Sequence, residues 1–509
     1  MEYKLSKTTL SRPECVFSTV SEQAVDVDIT LPDYCPDIER ILRCSLKPCV
    51  YSKNLSGGQL SVDGGAVLRI LYVDSSKNCI RSFEHTVPWS ETFSVKDVSQ
   101  QYVICVRCKP EYINCRAMSP RKLSLHGAFS LYAKVICKQP ADFYTESEED
   151  DLQILRKGIT VSSLCSLCEE QFSHSEDIPL GDKPPVESIL QSGITLKITE
   201  LRCTDSKLML SAQGELRMMY LCDLEKGRME HLSYVFPISR IIDCDGLTDD
   251  AVADVDLFVQ SFDITVSRDA LSDEELLRLD LKLCARVMGY REEQMDVICD
   301  AYSVSNPVEL TKTPVTVSSD VSSDTLGHIQ KTTVGIENES ISEVLDISLI
   351  SASASPMMQD DVLSIDTKLK IGLLMKNTDG EPLYIERNID FAFIPEKALK
   401  EMVESVCVSV DSISFRIVDE KHIELRIDLS YHIVSSNCVR ISQVCAAESV
   451  EGAERPVDDS ALILYYADKG ESFWDISKEH ATKVSDLKSE NALEGDTVQE
   501  KMMLLIPTA

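Results

Sequence analysis

At 509 residues the chain can hold three or four domains of about 100–200 residues each, and 43% hydrophobic with 27% charged residues predicts globular domains with packed cores. The balance of 51 Lys and Arg against 84 Asp and Glu, a net charge of −33, sets the surface against phosphate backbones and anionic lipid. It disfavours nucleic acid and favours a protein partner.

No run of eighteen apolar residues is present, so no transmembrane helix is predicted. The N-terminal stretch MEYKLSKTTLSRPECVFSTV has no apolar h-region and no small-residue cleavage site. The expectation is a protein that stays in the compartment where it is made. Nineteen cysteines, an odd number in a long chain, then read as reduced and mostly buried rather than as a disulfide framework. Cys137 in YAKVIC and Cys284 in LKLCARV sit in apolar runs, where a thiol acts as a small hydrophobe.

In chain order, one unit recurs three times. Residues 36–95, 185–240 and 341–395 each open on an acidic-flanked apolar pair: Ile41-Leu42, Ile189-Leu190 and Val344-Leu345. Thirty residues after each leucine an apolar strand ends, at Tyr72, Tyr220 and Met375. A polar turn follows, then a strand expected to end at Pro88, Pro237 or Pro395. The second half of each unit pairs a strand near Tyr102–Cys108, Asp254–Val266 or Val406–Val418 with a strictly alternating one. In residues 422–434 the apolar face is Ile423, Leu425, Ile427, Leu429, Tyr431 and Ile433. In residues 276–287 it is Leu277, Leu279, Leu281, Leu283, Ala285 and Val287. Period two over this length predicts half-buried antiparallel strands. The units are expected to be small β-sandwiches or barrels.

The units are bounded at residues 20–144, 183–305 and 335–447. Residues 145–182 between the first two read as an acidic linker with a short helix. Residues 305–335, rich in Ser, Thr and Pro, read as a second linker, and the polar stretch 446–460 reads as a flexible tether.

The last segment, residues 460–508, contains YYADKGESFWDISKEHATKVSDLKSENALEGDTVQEKMMLLIP. Strands are expected at Tyr465–Ala467 and Met503–Ile506, and helices at Ser472–His480 and Val484–Asn491. Ser472 and Ser485 are candidate N-caps. Phe473, Ile476, Leu487 and Ile506 are expected in the core. This βααβ pattern resembles a LysM domain. The first copy, with LPDYCPDIERIL, VDGGAVLRILY and the VPW turn, and the second, with PLGDKPPVESIL and QGELRMMY, resemble SPOCS domains. The third copy has Asp366 in the region where the others carry a glycine before the strand. Tandem SPOCS-type units followed by LysM resemble the SipL family of spore-coat morphogenetic proteins.

The resemblance implies a mainly β chain with a small α+β C-terminal domain. It also implies a non-enzymatic coat scaffold in the mother cell, at the forespore surface, whose LysM domain docks the coat-basement ATPase. The alternative it leaves open is a LysM protein of the envelope that binds peptidoglycan N-acetylglucosamine. In the LysM family the groove lies between the loop after the first strand and the loop before the second. Here those loops carry Lys469, Gly470, Glu471 and Ser472, and Asn491, Ala492 and Leu493. Glycan-binding members commonly have Gly-Asp-Thr where this chain has Gly470-Glu471-Ser472, and the longer acid would crowd a sugar. Trp474 is the candidate aromatic anchor of a protein interface, set against a packed side chain covering the first helix.

No GxGxxG, P-loop, HExxH or GxSxG pattern is present. No catalytic residue, cofactor or metal is assigned. Cys105 and Cys108 lie in a strand, where residues three apart face opposite ways. Cys165 and Cys168, with His174 nearby, make half of a zinc site and lack the second CxxC. The run Glu148-Glu149-Asp150-Asp151 lacks the alternating ligands and turn glycine of a calcium loop and reads as solvated linker.

Overall fold

The computed structural model of the chain describes residues 2–76, 79–96, 98, 101–268, 275–336, 339–359, 362–396, 399–450 and 463–507. Three six-stranded units follow one another. The first is built of β1 (Leu5–Thr30), β2 (Ile38–Ser56), β3 (Gln59–Asp74), β4 (Ile80–Ser94), β5 (Tyr102–Ser119) and β6 (Lys122–Ser147). The second is β7 (Leu152–Pro179), β8 (Ser188–Thr204), β9 (Lys207–Asp223), β10 (Arg228–Asp243), β11 (Val252–Arg268) and β12 (Glu275–Ser303). The third is β13 (Val308–Gly335), β14 (Ile341–Gln359), β15 (Val362–Asn377), β16 (Pro382–Phe393), β17 (Met402–Asp419) and β18 (His422–Ser449).

Each unit is a pair of three-stranded antiparallel sheets. The middle strands β2-β3-β4, β8-β9-β10 and β14-β15-β16 make one sheet of each pair. The first strand joins the last two in the other, as β1-β6-β5, β7-β12-β11 and β13-β18-β17. The alternating strands lie at the centre of these sheets, and their apolar faces are buried. Ile423, Leu425, Ile427, Tyr431 and Ile433 are fully inaccessible, as are Leu277, Leu279, Leu283, Ala285 and Val287. Against them pack the central strands of the partner sheets, through Leu216, Met218 and Tyr220 in the second unit and Leu369, Ile371 and Met375 in the third. The repeat extends to single hydrogen bonds. The Tyr72 hydroxyl donates to the Pro36 carbonyl at 3.2 Å, and the Tyr220 hydroxyl donates to the Pro184 carbonyl at 3.0 Å.

The structure corrects the expected linkers. Residues 145–182 contain no helix: β6 runs to Ser147, a tight turn follows, and β7 starts at Leu152. Residues 305–335 are almost wholly β13, and the first unit starts with β1 at Leu5 rather than at residue 20. These three strands are the same structural element. Each pairs along its length with the last strand of its own unit, as in Leu152↔Ser303 to Pro179↔Leu276. Such pairing is invisible locally. Ser- and Thr-rich sequence forms a strand when a neighbouring apolar strand supplies the ladder, because strand preference is largely a matter of context. The tether suggested for 446–460 is β18 as far as Ser449, and residues 451–460 lie outside the described residues. Pro88 and Pro237 do not end strands. They sit within β4 and β10, which continue to Ser94 and Asp243. Both are edge strands, where a missing N–H costs no ladder bond.

The acidic run is not all solvated. The Asp151 carboxylate accepts hydrogen bonds from the Tyr3, Ser303 and Ser305 hydroxyls at 3.1, 2.5 and 2.7 Å. It thereby ties the chain start to the junction of the second and third units.

The units converge at shared cores. Leu42 and Leu71 of the first, Leu190 and Met219 of the second, and Leu345 and Leu374 of the third meet in one cluster. These are corresponding positions of the repeat. Beside them the Arg43 guanidinium donates to Gln191 Oε1 at 3.2 Å and Ser348 Oγ at 3.1 Å, one acceptor from each of the other units. A second three-unit cluster joins Phe143, Ile159, Val161, Val297, Val317 and Ile441 on the long strands β6, β7, β12, β13 and β18. A half-buried ion pair crosses between units as well: Lys53 of the first pairs with Glu169 of the second at 2.6 Å. Within the second unit Arg286, 7% exposed, bridges that Glu169 and Asp256.

Candidate partner-binding surface of the C-terminal module

The C-terminal module is β19 (Ile463–Ala467), α1 (Phe473–Glu479), α2 (Val484–Glu490) and β20 (Met502–Ile506). β19 and β20 pair antiparallel, Ile463 opposite Ile506 and Ala467 opposite Met502. Ser472 caps α1 by accepting from the Trp474 N–H at 3.2 Å. Asp475 in the first turn and Lys478 in the last complement the helix dipole. Ser485 does not cap α2. Lys483 occupies the cap position without a side-chain bond, and the Ser485 hydroxyl turns to Asp486 at 2.9 Å.

Phe473, Ile476, Leu487 and Ile506 form the core with Ala467, Val498 and Leu504. Leu487 is fully buried there. Leu487→Ala should destabilise the module by about 2–5 kcal/mol, read as a drop in its thermal unfolding midpoint.

The expected groove residues separate into three environments. Lys469 and Gly470 are exposed on the loop after β19, where Gly470 adopts φ +95°. That loop is held against residues 496–498 rather than 491–493. The Gly470 N–H donates to the Val498 carbonyl at 2.9 Å, the Val498 N–H to the Glu471 carbonyl at 2.9 Å, and the Phe473 N–H to the Asp496 carbonyl at 3.0 Å. Glu471 is half-buried beside Tyr465, whose hydroxyl is pushed above its ordinary range by burial and by that carboxylate.

Asn491 is an internal clamp. Its amide donates to the Leu487 and Leu505 carbonyls at 2.9 and 2.6 Å and accepts from the Leu505 N–H at 2.7 Å. Every polar atom of its side chain is therefore spent on joining α2 to β20. Ala492 follows at φ +51° and is exposed, while Leu493 packs against the module core.

Trp474 lies away from this loop, in a contact with the β-rich body. Its indole N–H donates to Asp300 Oδ2 at 3.0 Å, and its ring meets Tyr302 edge-on with centroids 4.8 Å apart. Lys478 reaches the same carboxylate oxygen at 2.6 Å, and Lys312 reaches Oδ1 at 3.1 Å. The Tyr302 hydroxyl donates to the Thr482 carbonyl at 2.7 Å. Burial raises the Asp300 carboxyl pKa, but the hydrogen bonds from Lys478, Trp474 and Lys312 outweigh it and hold the group below the usual carboxylate range. The aromatic anchor expected at Trp474 is thus 9% exposed and already occupied.

A different aromatic residue stands free. β19 alternates, with Ile463, Tyr465 and Ala467 facing the helices and Leu464 and Tyr466 facing out. Tyr466 is 71% exposed and pairs across the ladder with Met503, itself exposed. The outer face of the sheet is therefore apolar and adjoins the Lys469 loop. Period-two reading of ILYYA was the signal that could have found it.

Residues 37–118 and 185–267 match the family model described as SipL, SPOCS domain, and residues 465–507 match the LysM domain model. The match is to the SipL-like family. Both SPOCS segments run from the second strand of the unit to its penultimate strand, β2–β5 and β8–β11. The comparisons with curated proteins and with solved structures return no match. SPOCS and LysM are binding or scaffold domains, and together they mark a sporulation-related LysM protein. No helix among the described residues is long and apolar enough to cross a membrane. Among the same residues no group of three or more His, Cys, Asp or Glu side chains is arranged to hold a metal ion, Cys165 and Cys168 included.

Proposed function

We propose that the chain is a non-enzymatic scaffold of spore-coat assembly in the mother cell. Its LysM module docks the coat-basement ATPase at the forespore surface. The observation that carries this reading is the division of surfaces on the module. One face, through Trp474 and Lys478, is committed to the chain's own β-rich body. The opposite resource, Lys469 beside the exposed Tyr466 and Met503, remains open to a partner. Tyrosine is among the residue types enriched at interface hot spots, and Lys469 adds a positive charge next to it that can steer an acidic partner. The inward turn of Glu471 and the internal role of Asn491 remove two of the polar groups that a sugar site would use, which supports a protein partner over a glycan.

Lys469→Glu and Tyr466→Ala should each weaken docking of the ATPase by about tenfold, about 1.4 kcal/mol, with circular dichroism and thermal midpoint unchanged. Binding is measured with the full chain, alongside titration with N-acetylglucosamine oligomers. Saturable oligomer binding, with no ATPase recovered from sporulating cells, would establish the peptidoglycan reading instead.

A further inference from the structure

The second unit holds a pair of thiols placed for covalent chemistry. Cys168 on β7 and Cys244, in the turn after β10, have their sulfurs 3.2 Å apart. A disulfide bond is about 2.05 Å long, so the remaining gap is within reach of side-chain rotation. The two residues are 76 apart in sequence: Cys168 lies in the β7-β12-β11 sheet, and Cys244 directly follows β10 of the other sheet.

The backbone at both ends is fixed. Cys168 pairs with Val287 across the β7–β12 ladder. The Cys244 N–H donates to the Ser206 carbonyl at 2.9 Å, and its own carbonyl accepts from the Leu247 N–H at 3.0 Å. We propose that Cys168 and Cys244 form a reversible thiol–disulfide site that staples the two sheets of the second unit under oxidising conditions.

The surroundings divide the labour between the two sulfurs. Cys168 is half-buried and reachable, whereas Cys244 is fully buried. The two thiols share a hydrogen bond in which either sulfur can donate. That contact holds the Cys168 thiol below its ordinary range, against burial and the nearby Glu170 and Asp245. The same contact, with burial, pushes Cys244 up. Because an external oxidant can reach Cys168 but not the fully buried Cys244, Cys168 is the attacking sulfur and Cys244 the resolving one. Cys165 and Cys203 join the same apolar cluster, but the described residues offer no three-ligand metal geometry there, so the chemistry open to the pair is oxidation.

With a disulfide oxidant such as oxidised glutathione, the Cys168 thiolate attacks one glutathione sulfur. The glutathione S–S bond breaks, and one glutathione leaves as a thiolate and takes up a proton. Cys244 then loses its proton and attacks Cys168 Sγ. The Cys168–Cys244 bond forms and the second glutathione leaves. Two electrons and two protons pass from the protein to glutathione.

The test is equilibration of the folded full chain across graded ratios of reduced and oxidised glutathione, then alkylation of free thiols and peptide mapping. The expected result is a linked Cys168–Cys244 peptide, two fewer alkylations per chain and a higher thermal midpoint. In Cys244→Ala the reaction should stop at a glutathione adduct on Cys168, and in Cys168→Ser the linkage should vanish. Wild-type chain in which both residues stay alkylatable at every ratio, or in which Cys168 retains glutathione unresolved, overturns the proposal.

Discussion

Asp300→Ala is expected to release the C-terminal module from the β-rich body while leaving both folded. One carboxylate there collects the Trp474 indole, Lys478 and Lys312. Its loss removes charge-assisted hydrogen bonds and leaves the indole N–H unmatched beside Tyr302. Hydrogen bonds to charged groups contribute about 1.5–3 kcal/mol each in protected sites. The two lysines are about 40% exposed, so solvent screening brings the combined loss toward the lower end of that range. Trp474 is one of two tryptophans in the chain. The readout is a red shift of its emission.

Acid should act in the same direction. The folded Asp300 pKa lies below its ordinary value of 3.8. The stabilisation is therefore fully present above the unfolded value and is lost as pH falls through the folded one. The clasp should hold at neutral pH and loosen below about pH 4, a transition absent from Asp300→Ala. An unchanged emission spectrum in the variant would show that the clasp does not hold in solution.

Leu190→Ala tests the body. Leu190 is fully buried at the point where all three units meet, against Leu71, Met219 and Leu374. The cavity should cost about 2–5 kcal/mol. Because corresponding residues of every unit line that cluster, the cost should fall on the whole body. Calorimetry should show one main transition moved to lower temperature. A variant that melts only a subset of the β structure, with the rest at the wild-type midpoint, would mean that the units are independent.

Much of the architecture was legible because it rests on local patterning. The alternation in 276–287 and 422–434 dictates which side chains face inward, and those faces are buried. The anchors Leu42, Leu190 and Leu345 marked the repeat before their meeting point was visible. The core positions of the LysM helices came from the resemblance to that domain, and Phe473, Ile476 and Leu487 are buried as it implies. The binding surface was less legible. Lys469 is exposed as a loop residue should be, but Asn491 and Trp474 carry polar groups whose partners lie in other elements, and those partners decide what the side chains do.

The two CxxC pairs make the same distinction. Strand geometry sends residues three apart to opposite faces. Yet Cys165 and Cys168 enter one cluster, because the ladder slips by one residue between Gly289 and Tyr290, opposite Cys165. A bulge of this kind re-aims a side chain, and it is specified by both strands together.

The sequence by itself determined the β class, the threefold repetition, the terminal βααβ module and the inward faces of the central strands. These depend on periodicities of a few residues, which chain stereochemistry converts directly into faces. Only the tertiary structure decided that the apparent linkers are the opening strands β7 and β13, that the three units share their cores, and that Trp474 is occupied by Asp300 while Tyr466 is free. Those outcomes are set by ladder partners, buried charges and contacts more than a hundred residues apart, and no short window of sequence contains both sides of such an interaction.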